Sequence, residues 1–191
     1  MKLKSRRLDV LPLTSVEMKI FVKSRSEFEK QANLQVTKVE LNDAYREEIV
    51  EMIEREPDIW KSTGIDYLFY TLWLMILRDV KTIIGMFTFN GKPNANGEVE
   101  IFFSIEPPYR RKGLATEAME AILCWANKTK HFRVVVVEAG ENNKAAKASL
   151  KRLGFKKIVP DDDDTKEEAL SKYYKVVCPK SDDCEDLDFD I

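Results

Sequence analysis

A chain of 191 residues, 44% apolar and 34% charged, is long enough to bury a full hydrophobic core, so it needs no disulfide framework or structural metal. Its ten Phe, six Tyr and three Trp exclude disorder throughout. Net charge is −2, but residues 161–191 hold twelve acidic and four basic side chains, leaving 27 basic and 21 acidic before them. The body is basic and the tail acidic, too weakly to point to nucleic acid. The longest largely apolar run, 67–77, has eleven residues with Thr71 inside it, and a membrane span needs about 20. The N-terminal residues lack the apolar core of a signal peptide. Cys124, Cys178 and Cys184, with His131 the single histidine, fit no zinc spacing and read as reduced thiols of a cytoplasmic protein.

Residues 7–13 read as a first strand. Thr14 and Glu17 form a capping-box pattern, which opens a helix with Val16, Ile20 and Phe21 inward. Asn42 caps a second helix on the stripe Tyr45, Ile49, Met52 and Ile53, ending before Pro57. Residues 70–77 and 82–89 are strand-like runs across a turn at 78–81. GKPNANG at 91–97 is a loop by its composition. Val99, Ile101, Phe103 and Ile105 alternate at period two, one buried strand face, which Pro107 and Pro108 terminate. An amphipathic helix follows on Leu114, Ala118, Ala121, Ile122 and Trp125. Residues 132–138 predict a strand buried on both faces. Residues 143–153 predict a helix stopped by Gly154, 155–159 a strand, 161–164 a solvated acidic loop and 173–177 a last strand. The order β-α-α-β-β-β-α-β-α-β-β makes a single α/β domain over 1–178, a mixed central sheet flanked by helices. Residues 179–191 form an acidic, flexible tail.

The stretch EVEIFFSIEPPYRRKGLATEAMEAILCWAN at 98–127 carries the chemistry. A strand ends in a basic turn that opens a helix. Unpaired N–H groups at such a helix start carry partial positive charge. Arg110, Arg111 and Lys112 add full charges, and Gly113 lets a phosphate approach the backbone. That combination is a pyrophosphate site. It is neither a Walker loop nor a dinucleotide fingerprint, since Gly113 is the only glycine in the turn.

These residues resemble the GNAT superfamily of acetyl-CoA-dependent N-acetyltransferases, whose (Q/R)-x-x-G-x-(G/A) signature matches Arg110-Arg111-Lys112-Gly113-Leu114-Ala115. The wider stretch is similar to the RimJ/RimL-like branch. Asn143, eleven residues before Gly154-Phe155, matches the family's second pattern. The resemblance implies that acetyl-CoA is the acyl donor. Its pyrophosphate would lie on residues 111–115, with Arg110 at the motif's first position and Thr116 next in the helix. The pantetheine arm would pair like an extra strand with the backbone of Phe103, Ser104 and Ile105, and Asn143 would bond the pantetheine amide region. Asn143 also suits a helix N-cap, and both roles can hold at once.

The chemistry so implied is attack of a neutral amine on a thioester, with a carboxylate as base. Glu98, Glu100 and Glu106 share the strand face opposite the apolar set, and Glu100 is the favoured base. Many family members place a tyrosine seven residues after the asparagine as acid; here that position is Leu150, with Ser149 the nearby hydroxyl. Trp60, Tyr67, Phe69, Tyr70 and Trp73 fall where the family's acceptor pocket would be built; most of them read as core packing, and Trp60 is the expected pocket wall. The resulting expectation is an N-acetyltransferase acting on a primary amine, a protein N-terminus or a small molecule. It needs no metal, nucleic acid or membrane, and a homodimer is compatible with it. A catalytically weak CoA-binding or partner-docking module on the same fold stays open.

Overall fold

Strand pairing organises the chain around one sheet. The computed structural model describes residues 1–55, 59–61, 65–140, 142–158, 170–177 and 189–190. Among these, nine strands are ordered β7-β8-β6-β5-β4-β3-β2-β1-β9. They are β1 (Lys2–Lys4), β2 (Leu8–Pro12), β3 (Leu72–Leu77), β4 (Thr82–Phe89), β5 (Glu98–Ile105), β6 (Val134–Gly140), β7 (Lys156–Lys157), β8 (Leu170–Val176) and β9 (Phe189–Asp190). Every neighbouring pair is antiparallel except β5 and β6, which run parallel. The parallel pair needs a crossover, and α4 (Leu114–Thr129) supplies it. The fold is the single mixed α/β domain expected.

Two cores lie on opposite faces of the sheet. Helix α4 and α5 (Lys144–Arg152) close one around Trp73, Phe87, Trp125 and Leu150. Helices α1 (Ser15–Lys23), α2 (Arg25–Gln31) and α3 (Asp43–Arg55) close the other around Met18, Phe21, Phe28, Ile49 and Leu74. The capping box at Thr14 and Glu17 is present, and Asn42 Oδ1 accepts from the Tyr45 N–H. Val16, expected inward, is 65% exposed. The buried arc of α1 centres on Met18 and Phe21, about 60° apart, whereas Val16 stands about 140° from Phe21.

Strands β1 and β9 and helix α2 were not legible. The buried face of α2 carries Arg25 and Glu29 beside Phe28, which hides its apolar stripe. Strand β6 is buried on alternate residues only; Val134 and Val136 are half-buried, so one face is closed rather than both. Cys124, expected as a free thiol, is disulfide-bonded. The acidic loop at 161–164 and most of the expected tail lie outside the described residues. Residues 189–190 are described, and Phe189 stands opposite Leu3 on β1.

Candidate active site

The parallel strands β5 and β6 pair only from Glu98 opposite Val134 to Ile101 opposite Val137. Beyond that point β5 stays on β4 as far as Ile105, and β6 stays on β8 as far as Gly140. The two strands therefore part, and a slot opens between them. On β5, the backbone groups of Glu100 and Glu106 bond toward β4. Strand alternation then directs those of Phe103 and Ile105 toward the slot. The Ile105 carbonyl accepts from Arg110 Nε at 2.8 Å, so Arg110 closes the slot's end rather than standing free. Gly85 lets β4 and β5 approach here: a Cβ on it would collide with the Ser104 carbonyl and reach Ile105 Cδ1 and Met75 Cε at 2.9 Å.

The basic turn follows directly. Arg111 and Gly113 both have positive φ, 61° and 75°, and Gly113 is the N-cap residue of α4, with no side chain capping the helix. Arg111, Lys112 and Gly113 are exposed, Ala115 is half-buried, and Leu114 and Thr116 are buried. Thr116 Oγ1 accepts from Arg152 Nη2 at 2.8 Å, bringing the end of α5 to the helix start.

Sequence reading missed Arg7 beneath this turn. Arg7 Nη2 donates to the Lys112 carbonyl at 3.2 Å, and its Nε donates to Glu117 at 2.7 Å. Glu117 also accepts from the Arg7 N–H and the Ser5 hydroxyl. Burial works to raise the Glu117 carboxyl, but the Ser5 and Arg7 donors outweigh it and hold it below its ordinary value. Nothing local marks Arg7, because the partners of its side chain lie more than 100 residues away.

A cleft of about 280 Å³ opens on the α3 side of the slot. Tyr45, Glu48, Ile49 and Met52 of α3 form one wall. Met86, Thr88, Phe102 and Ser104 come from β4 and β5, and Glu138 from β6. Glu138 therefore stands at the parting of the strands, where Lys172 Nζ lies 3.1 Å from its Oε1. Glu100 is not among the lining residues. Its Oε2 accepts from Asn90 Nδ2 at 3.0 Å, and its Oε1 lies 3.7 Å from Lys172 Nζ. Glu106 is paired to Arg25 at 2.5 Å.

Asn143 caps α5, its Oδ1 accepting the Ala146 N–H at 3.0 Å. Leu150 is 5% exposed and packs in the α4-side core. Ser149 is half-buried and does not line the cleft. Of the aromatics, Trp73 and Phe69 are core residues, while Trp60 packs on the α3-side core and lies 6.3 Å from the Tyr67 ring. None of them lines the cleft.

Residues 11–156 match the family described as Acetyltransferase (GNAT) domain. The chain belongs to the GNAT acetyltransferases. The Bacillus subtilis protein named Uncharacterized N-acetyltransferase YjdG is 30% identical over 83 residues, which is 44% of this chain and 49% of that protein. The chain thus spans about half the length of this curated relative. Among solved structures, a GNAT acetyltransferase of Bacillus anthracis superposes with TM-score 0.57 at 18% identity, covering 91% of this chain and 96% of its own. The ribosomal-protein-S5-alanine acetyltransferase of Vibrio fischeri gives 0.61 at 12% identity, covering 93% and 97%. RimL, a ribosomal L7/L12 α-N-protein acetyltransferase in complex with coenzyme A, gives 0.62 at 11% identity, covering 92% and 97%. At these identities the likeness is one of fold. Among the described residues of this GNAT chain, no helix is long and apolar enough to cross a membrane.

Proposed function

We propose that this protein transfers the acetyl group of acetyl-CoA to a primary amine. The observation that carries this reading is the parting of β5 and β6 beside the turn at 110–113. Phosphate oxygens are matched by the exposed N–H groups at the start of α4 and by Arg111 and Lys112. An extended amide chain such as pantetheine is matched by the slot-facing carbonyl of Phe103 and N–H of Ile105, which satisfy it as a neighbouring strand would. Asn143 retains an amide N–H₂ for the same chain while its oxygen caps α5.

In the transfer, the amine nitrogen forms a bond to the thioester carbonyl carbon and the carbon–sulfur bond breaks. The amine's proton passes to a base, and the thiolate takes a proton from water. Glu138 replaces Glu100 as our candidate base, because it lines the cleft at the slot and Glu100 does not. Its ion pair with Lys172 is made by the carboxylate, the form a base requires. An N-terminal amine, with pKa near 8, loses its proton at neutral pH far more cheaply than a lysine near 10.4, whose neutral form costs about 4–5 kcal/mol at pH 7. The slot-facing N–H of Phe103 is the donor we assign to the developing oxyanion.

The acceptor belongs to the same proposal: a peptide N-terminus or a small amine, with no nucleic acid required and a homodimer compatible. A cytoplasmic location completes it, and the Cys124 disulfide is the one observation that pulls against that location.

The test follows free thiol released from acetyl-CoA over a panel of peptides and small amines. Transfer to some amine is expected, and Glu138→Gln should lower kcat about a hundredfold with KM for acetyl-CoA little changed. Glu100→Gln should cost far less; the reverse ranking returns the base to Glu100. A second reading, a module that holds coenzyme A without turnover, is favoured by Leu150, whose buried side chain offers no proton. It predicts thermal stabilisation by coenzyme A with no thiol release for any amine.

A further inference from the structure

The walls of the cleft bear on which amine is accepted, given the transfer reading of this site. Its surface divides by chemistry. Phe102 points from the α3-side face of β5 and is 42% exposed, and Tyr45 on α3 is 40% exposed. Both line the cleft, together with the half-buried Met52 and Met86. Exposed aromatic surface in a concave site, flanked by two methionines, gains most from covering an apolar group. The polar part is different in kind. Among the described residues, the charged side chains lining the cleft are Glu48 and Glu138, both carboxylates, from opposite walls. Lys172, opposite Glu138 on β8 and on the same face of the sheet, sets one positive charge against both Glu138 and Glu100, so with Glu48 the cleft keeps an excess of negative charge.

We infer that the acceptor is a primary amine carried on an uncharged apolar or aromatic group, held with its nitrogen between Glu48 and Glu138 and its apolar part against Tyr45, Met52, Met86 and Phe102. The two carboxylates attract the ammonium form on approach and repel acidic acceptors. The volume, about 280 Å³, suits one side chain rather than an extended peptide. A peptide beginning with Met or Phe and a free arylalkylamine present the same chemistry here. An N-terminal Ser or Asp leaves the aromatic surface wet.

The experiment measures kcat/KM by thiol release for tetrapeptides differing only in the first residue, Met, Phe, Ser or Asp, and for phenethylamine and ethanolamine. Calorimetry of each amine against the protein saturated with coenzyme A runs in parallel. The expectation is a preference for Met, Phe and phenethylamine over their polar counterparts of tenfold or more, the scale of discrimination an apolar pocket provides. Asp should be poorest. Met52→Glu should narrow that preference and Glu48→Gln should raise the amine KM, with affinity for coenzyme A unchanged in both. The peptide and small-amine arms separate the two sources. Turnover that favours Ser or Asp, or ignores the side group, overturns this inference and leaves the transfer reading standing. Apolar amines that bind selectively without turnover overturn the transfer reading and support the cleft assignment. Neither binding nor turnover overturns both.

Discussion

At the scale of single residues, two glycines at the site do opposite jobs. Gly113 has φ +75°, yet a Cβ on it would meet only Arg7 Nη2, at 3.7 Å. Its requirement is backbone conformation, so Gly113→Ala should cost about 1 kcal/mol of stability. It should also cut the rise in melting temperature produced by coenzyme A, because the methyl group stands where a phosphate would approach. Gly113→Glu should abolish that rise by adding negative charge. Gly85 needs space instead, and Gly85→Ala should destabilise by about 1–3 kcal/mol through overpacking. Urea unfolding of the three variants, with and without coenzyme A, separates the two jobs. Equal losses from both alanine variants would show that Gly113 is also packed. Gly113 was legible in the sequence because its basic neighbours and the helix behind it are contiguous. Gly85 was not, since its crowding comes from β3 and β5.

At the scale of elements, buried charge ties α2 to the site. Arg25 Nε donates to Glu29 at 2.8 Å and its Nη1 to Glu106 at 2.5 Å, with side chains of Arg25 and Glu29 only 2% and 0% exposed. Glu29 also takes the Thr37 N–H and hydroxyl. Glu106 directly precedes the turn at 107–109, so α2 fixes where the basic loop begins. Arg25→Ala strands a fully buried carboxylate and should cost about 3–5 kcal/mol. A loss below about 1 kcal/mol in urea unfolding, the scale of an exposed pair, would show that Glu29 finds another partner. The β1–β2 turn buttresses the loop from the other side through Arg7 and Glu117. The Glu117 carboxyl is held below its ordinary value of 4.5. A depressed acid contributes stability above its unfolded pKa, and loses it as pH falls through the folded value. Stability should therefore decline below about pH 4.5, and Glu117→Gln should flatten that acid limb. Superimposable profiles for wild type and variant would remove Glu117 from the explanation.

For the whole molecule, charge is divided between a basic body and an acidic tail, and the basic side chains of Arg7, Arg110, Arg111, Lys112 and Arg152 gather around the start of α4. Coenzyme A affinity should fall as ionic strength rises from about 0.01 to 1 M, where screening shortens from about 30 Å to 3 Å. Deleting residues 180–191 should leave that affinity unchanged at both salts. Tighter binding by the truncated protein at low salt alone would show that the tail competes for the basic site.

The sequence by itself determined what depends on neighbours along the chain. The basic turn, its glycine, the helix behind it and the Asn143 to Gly154 span are local patterns, set by capping, period and conformational freedom. Tertiary structure decided the rest. Period two assigns Glu100 and Glu138 to strand faces, but it says nothing about where two parallel strands part. Beyond that point β5 stays with β4 and β6 with β8, which puts Glu138 in the cleft and leaves Glu100 with Asn90. The opposite wall comes from α3, some 90 residues earlier in the chain. Only long-range packing brings Glu48 and Tyr45 to face Glu138 and Phe102, and no local spacing records that meeting.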